Sequence, residues 1–285
     1  MGVATVHTAG TGERAGSTLY AQWDLFCRLR DQARDHPDPD TVHDLRVASR
    51  RLRATVGLFA PFMAGEKPGR IGRELRRITR SLGRLRNLDE ALAYFGAGNP
   101  DLPVLERLLA AAREAELERV TEGLASFPRQ KLDRQLRRGV EALAAIPGDA
   151  GGLPEYLSVT AFKRFQKVHD LLPPAIDVDN ISGRHALRIA IKKWRYLLET
   201  AGAVFRHDYA AALELLKEYQ TLLGTLNDLE EFRRLMEGYN LPGPEREAAL
   251  ERLERDGADY LGRFFSLAAD HPPQYSFVIE VNHEQ

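Results

Sequence analysis

The sequence predicts an all-α protein built from a duplicated helical unit, and three observations carry that prediction. Apolar residues recur at spacings of three and four along most of the chain, the mark of helices with one buried face. Strand signals are almost absent, and only Phe277 to Val281 reads as extended. A set of short motifs returns in the same order at an offset of about 140 residues.

Taken in order, Met1 to Ser17 is small and polar. It lacks the apolar stretch of a secretory signal and is expected to be a loose tail. Its Gly10-Thr-Gly-Glu-Arg-Ala-Gly16 has phosphate-loop composition but no preceding strand and no Gly-Lys-Ser/Thr, so it reads as tail too. Thr18 to Arg34 reads as a helix whose turns are marked by Leu19, Trp23 and Phe26. His36 to Asp40, with two prolines, ends it, and Asp40 or Thr41 can cap the next helix. That helix runs to Phe59, before Pro61. A third spans Ile71 to Tyr94 on the stripe Ile71, Leu75, Ile78, Leu82 and Leu85. Val104 to Ser126 and Arg129 to Ile146 follow, divided at Pro128. Pro147 to Pro154, with three glycines, is the best linker. The expected division is therefore tail 1–17, first repeat 18–147, linker 148–155, second repeat 156–270 and C-terminal tail 271–285. About four long helices per repeat suggest two four-helix bundles.

The duplication is legible position by position. His43-Asp-Leu-Arg-Val-Ala-Ser-Arg-Arg-Leu-Arg53 is matched by His185-Ala-Leu-Arg-Ile-Ala-Ile-Lys-Lys-Trp-Arg195. Ser81-Leu-Gly-Arg-Leu-Arg-Asn-Leu88 is matched by Leu222-Leu-Gly-Thr-Leu-Asn-Asp-Leu229, and Leu105-Glu-Arg-Leu108 by Leu250-Glu-Arg-Leu253. Gly83 and Gly224 each weaken a helix by about 1 kcal/mol relative to Ala, so their presence in both copies suggests close helix packing.

Composition bounds the chemistry. Of 285 residues, 44% are hydrophobic and 28% charged, which describes a globular protein. A single cysteine, Cys27, excludes an internal disulfide and a cysteine-rich zinc site and suits a reducing compartment. No apolar run is long enough to span a bilayer, so no membrane role is expected and the cytoplasm is the default location. The net charge of −1 hides segregation: between His43 and Arg86 stand twelve Lys or Arg residues against three acids.

On a helical wheel His43, Arg46, Arg50 and Arg53 share one face, opposite Leu45, Ala48, Leu52, Val56 and Phe59. Arg51 extends that face. His185, Arg188, Lys192, Lys193 and Arg195 repeat it, with Lys163 and Lys167 in the preceding helix. Arg73, Arg77, Arg80 and Arg84, with Arg76 beside them, add a stripe on the third helix with no acid expected on that face. Such cations repel one another and call for an anion. Successive turns bring them about 5–6 Å apart, near the spacing of charges along a chain of phosphates. Arg offers a planar fork for phosphate oxygens and Lys a mobile point charge. A histidine among them should stay neutral until an anion arrives, then gain a proton. A solvated face is the bland alternative, but such a face normally interleaves Glu with Lys.

These motifs, with Leu82-Gly-Arg-Leu-Arg-Asn-Leu-Asp89 and Leu223-Gly-Thr-Leu-Asn-Asp228, resemble the CHAD (conserved histidine α-helical domain) family across about residues 18–270. The resemblance implies two four-helix bundles in pseudo-twofold symmetry around a basic cleft or pore. It also implies binding of inorganic polyphosphate, with no catalysis, no cofactor and no metal, and suggests association with polyphosphate granules. The chain looks like a stand-alone form, without the triphosphatase domain that often precedes this one. In the second copy Glu214, Glu218, Thr221 and Thr225 replace the third-helix arginines, and only Lys217 keeps the charge of Arg76. The cradle is therefore expected to be weighted to the first repeat.

Two rival classes remain. His43-Asp44, His169-Asp170 and His207-Asp208 could serve a two-metal phosphohydrolase, but Ala186 replaces Asp44 in the second copy and cations crowd His43. His43 and His185 could share a metal only with a thin coordination sphere. A nucleic-acid backbone binder would show the same cations. It is disfavoured because Phe59, Phe162 and Trp194 fall on apolar faces and read as core. Lys131, Arg134 and Arg138 form one further basic stripe, which either extends the cradle or faces water. Oligomeric state is open.

Overall fold

The computed structural model describes residues 10–63, 68–96, 101–146 and 152–278. Five α-helices precede the linker: α1 (Thr11–Asp35), α2 (Pro39–Phe59), α3 (Pro68–Gly96), α4 (Pro103–Ala125) and α5 (Arg129–Ala144). Four follow it: α6 (Leu153–Ala175), α7 (Ile181–Phe205), α8 (Ala210–Glu237) and α9 (Gly243–Asp270). The expected all-α class is the one observed, and no strand occurs among the described residues. Of the stretch read as extended, Phe277 and Val278 are not in a strand, and 279–281 lie outside the described residues.

Helix α2 starts one turn earlier than its hydrophobic pattern suggests. Asp38, not Asp40 or Thr41, is its cap: the carboxylate accepts the backbone N–H of Asp40 and of Thr41 at 3.0 and 2.9 Å. Pro39 supplies the first helical residue with its φ already set. In α7 the Asn180 side chain performs the same task for Gly183 N–H at 2.8 Å.

The loose N-terminal tail requires correction from Gly10 onward, residues 1–9 lying outside the described residues. Helix α1 begins at Thr11, and Gly12, Ala15 and Gly16 form a buried small-residue face against the end of α5. A Cβ on Gly12 would stand 2.3 Å from the Leu143 carbonyl oxygen, and one on Gly16 3.1 Å from that of Val140. The glycines read as loop composition are thus the price of backbone contact between two helices. The C-terminal tail is likewise tied down as far as Val278. Phe277 is buried, and Tyr275 stacks on Trp194 with ring centroids 5.9 Å apart.

The helices of each repeat pack mainly among themselves, and the two repeats then join through a shared core. Helices α1, α2 and α7 pack against one another, and α3 meets α8, so helices of matching position in the two repeats touch. One hydrophobic cluster runs from Ala15 to Phe277 through both repeats. A second joins Leu88 and Phe95 of α3 and Leu105 of α4 to Phe232 of α8 and Leu253 of α9. Glu245 at the start of α9 accepts the N–H groups of Val104 and Leu105, each at 3.1 Å, at the start of α4. Among the described residues helix α5 has no counterpart in the second repeat. It caps the outer side of α1, which is why the first repeat has five helices rather than four.

The two tightest glycines should respond differently to the same substitution. Gly12→Ala drives a Cβ into a backbone oxygen that cannot move alone and should cost about 1–3 kcal/mol in urea unfolding. Gly139→Ala meets only the terminal methyl of Met63 at 2.3 Å, which can swing aside. The gain of about 1 kcal/mol in helix propensity should leave that variant near wild-type stability.

Candidate anion-binding site

Helices α2 and α7 cross with their basic faces toward each other, and two chambers open along the crossing. The first, of about 610 Å³, takes His43 and Arg46 from the start of α2 and Arg195 from the second half of α7. Its far wall is Lys217, Gln220, Thr221, Gly224, Thr225 and Asp228 of α8. The second, of about 820 Å³, takes His185 from the start of α7 and Arg53 from the end of α2. Arg73 and Arg76 of α3, Arg164 of α6 and Lys193 complete its cationic lining. Arg50, Arg188, Lys192 and Tyr196 line both chambers and form the waist between them. The two helices therefore run in opposite senses past the waist, and each chamber receives the start of one basic motif and the end of the other.

That arrangement corrects the expected imbalance. The second chamber draws Arg50, Arg53, Arg73 and Arg76 from the first repeat, and as many cations from the second, so neither repeat outweighs the other. The asymmetry lies between chambers. Glu90 and Asp228 line the first, whereas among the described residues no carboxylate lines the second.

Like charges in a half-buried waist leave an electrostatic signature. Lys192 is pushed down to about 6, by burial first and then by Arg188 and Arg50. Arg46 falls to about 10, again through burial first, then Arg50 and Arg188. Burial and the neighbouring arginines lower Arg53, and burial lowers Arg188, with Arg50 adding to it and Asp228 opposing it. His43 is lowered by burial and then by Arg86, as the expectation of a neutral histidine requires.

The helices hold these groups from behind. Arg46 donates to the Thr79 carbonyl at 3.1 Å, and the absence of a side chain at Gly83 leaves room, since a Cβ there would lie 3.1 Å from Nη1 of Arg46. Asn227 Oδ1 lies 2.9 Å from His185 Nδ1 and accepts from Arg188 at 3.3 Å. Glu199 bridges the repeats: its two oxygens stand 2.9 Å from Arg195 Nε and 3.1 Å from Arg51 Nε. Arg195 also donates to Gln220 at 2.9 Å. Arg51 and Arg195 thus line the first chamber as already partnered cations.

Other expected residues go elsewhere. Arg77 pairs with Glu74 at 3.1 Å and Arg84 with Glu116 at 3.5 Å, so the α3 stripe is not free of acid. Arg80 is exposed and lines neither chamber. Lys163 and Lys167 are exposed on α6 and also miss both chambers. The residue of α6 that reaches in is Arg164, which donates to the Lys193 carbonyl at 2.9 Å. It occupies the register of the buried residues Leu157, Ala161 and Val168, and a cation in a core register was the signal that could have found it. Arg86, paired with Glu90, was likewise missed. Gly224, read as a packing glycine, has no atom within 4 Å of an added Cβ and opens onto the first chamber. Phe162 is 55% exposed, not core, while Phe59 and Trp194 are buried as expected. His43 and His185 line different chambers and are not brought to one metal. Among the described residues no group of three metal-capable side chains forms, and no helix is long and apolar enough to cross a membrane.

Fold and site together define a helical module with two chambers lined by clustered cations. The family model of the CHAD domain matches residues 18–237, and the chain belongs to that family. The crystal structure of the CHAD domain from the plant Ricinus communis is similar, with a TM-score of 0.66 at 22% identity, covering 96% of this chain and 92% of that one. PptA from Streptomyces chartreusis follows with a TM-score of 0.62 at 18% identity over 91% and 99% of the two chains. At these identities the likeness is one of fold. No curated protein matches in sequence.

Lys192 makes the site sensitive to pH in two ways. Its folded value of about 6 lies below the ordinary 10.5, so between these limits the unfolded chain holds a proton that the folded chain does not. Stability should therefore rise with pH through that window, and Lys192→Met should raise the melting temperature most at and below about pH 6, with the gain shrinking as pH rises toward 10.5. A bound anion raises the value again. Binding at pH 7.5 should take up close to one proton, seen as a dependence of calorimetric heat on buffer ionisation enthalpy, and Lys192→Met should remove most of that uptake.

Proposed function

We propose that the protein binds inorganic polyphosphate in the cradle between α2 and α7, and that it does so without catalysis. The observation that carries this reading is the waist, where Arg50, Arg188 and Lys192 meet with Arg46 close by, and where burial first and the neighbouring cations second lower Arg46, Arg188 and Lys192. Such crowding is an electrostatic debt that a closely spaced polyanion removes. The two chambers offer cations on both sides of the waist, which suits a linear chain passing along α2 and α7 better than a single compact anion. Arginine forks in the second chamber, with no carboxylate lining it among the described residues, suit phosphate oxygens. Trp194 and Phe59 lie in the core, which leaves Tyr196 as the one aromatic among the described residues lining the chambers and favours a phosphate polymer over nucleic acid. Binding of this kind would place the protein where polyphosphate gathers, in the cytoplasm and on polyphosphate granules.

Titration of the purified protein with long-chain polyphosphate should show affinity that falls steeply as salt rises. Arg50→Ala should weaken binding about ten- to a hundredfold, since a charge-assisted hydrogen bond contributes about 1.5–3 kcal/mol. Joint replacement of Arg46, Arg50, Arg188 and Lys192 by Ala should abolish binding with helicity unchanged. No binding at low salt would sink the proposal, and steady phosphate release from the bound polymer would refute the non-catalytic part.

A further inference from the structure

A second concentration of positive charge lies on the outside of the first repeat, where the end of α1 meets the start of α5. A concavity of about 620 Å³ is lined there by Arg30, Arg34, Arg129, Lys131 and Arg134, with Asp31 and the apolar wall of Phe127 and Pro128. Lys131 and Arg134 continue into an adjoining groove along α5 that also takes in Arg138 and Glu141. Neither cavity shares a lining residue with the two chambers of the cradle.

The local carboxylates do not match this charge. Asp31 is divided among Arg129 at 2.7 Å, Arg30 at 3.2 Å and Arg34 at 3.9 Å, while Arg34 also meets Asp35 at 2.8 Å. Lys131 and Arg134 are exposed and have no ion-pair partner among the described residues. The start of α5 points into the same place. No side chain caps it and its first turn holds no acid, so its unpaired N–H groups add to the positive field. Arg30 supplies an independent sign. It is only 6% exposed, its guanidinium lies 5.8 Å from the Phe127 ring, and its Nε has no hydrogen-bond acceptor. Asp31 meets only one side of this buried guanidinium, and the unmet Nε donor, in the lining of an open basic concavity, leaves it able to gain from an anion.

We propose that this groove is a second, separate site for phosphate groups, taking a segment or end of a linear polyphosphate chain. The ligand's identity rests on the polyphosphate reading of the cradle. The site itself rests on the α1–α5 geometry alone. Lys131, Arg134 and Arg138 recur one turn apart along α5, which suits a linear polymer. The one aromatic lining the concavity, Phe127, is 5% exposed and already covered by Arg30, so no base can stack there. Because α5 has no partner in the second repeat, the molecule would carry this site once. It would then hold a long chain at two points, the cradle and the α5 groove, and gain avidity for long chains over short ones.

Calorimetric titration with tripolyphosphate at low salt tests this, using wild type, Lys131→Ala/Arg134→Ala and Arg50→Ala/Lys192→Ala. Both pairs are checked for wild-type circular dichroism. The expected result is two sites in the wild type and the loss of a different one in each double variant. A single site that the Lys131/Arg134 variant retains overturns the groove and leaves the cradle standing. A single site that this variant loses but the Arg50/Lys192 variant keeps supports the groove and counts against the cradle. A groove that binds a single-stranded oligonucleotide but no tripolyphosphate overturns the assigned ligand.

Discussion

The constraint on which the rest of the structure depends is the meeting of two basic helix faces across the waist. Arg50, Arg188 and Lys192 sit together where α2 crosses α7, with Arg46 close by, and burial strengthens their mutual repulsion. The surrounding structure opposes it at close range. Glu199 ties Arg51 of one repeat to Arg195 of the other, Asn227 holds His185 and Arg188, and Asp228 supplies negative charge on one side only. Large apolar burial does the remainder. Trp23, Phe59 and Trp194 lie in one cluster that spans both repeats, so the crossing cannot open without exposing core.

From that constraint follows the division of labour between chambers. The first is tempered by Glu90 and Asp228, and two of its cations are already engaged by Glu199. The second has no carboxylate in its lining among the described residues and adds Arg73, Arg76 and Arg164 to what α2 and α7 provide. An anion entering the second chamber gains most from direct pairing; in the first it competes with internal partners. Membership of the CHAD domain family fits a scaffold whose duplicated basic helices face inward.

Much of this was legible along the chain. The face His43, Arg46, Arg50, Arg53 and its copy from His185 were plain from a three-and-four spacing, because a helix converts spacing into a face without reference to anything else. What spacing cannot report is which neighbour a face meets. Arg77 and Arg84 share a stripe with Arg73, yet the first curls back to Glu74 and the second reaches Glu116 of α4. Lys163 and Lys167 looked like cradle residues because they are charged; Arg164 is one because it occupies a core register. Gly12 and Gly16 read as loop composition because a glycine's need for room appears only when α5 is in place against α1.

The sequence by itself determined the helical class, the duplication, and the identity of the residues at the waist, since each follows from periodicity and chemical type within one helix or one repeat. Tertiary structure alone decided that α2 and α7 pass in opposite senses, that each chamber mixes both repeats, and that Lys192 lies deep enough to be pushed down to about 6. The reason is physical. Local pattern sets which way a side chain leaves its helix, but desolvation and charge–charge repulsion depend on the distance and burial of groups from distant parts of the chain, and packing fixes those only once the helices have met.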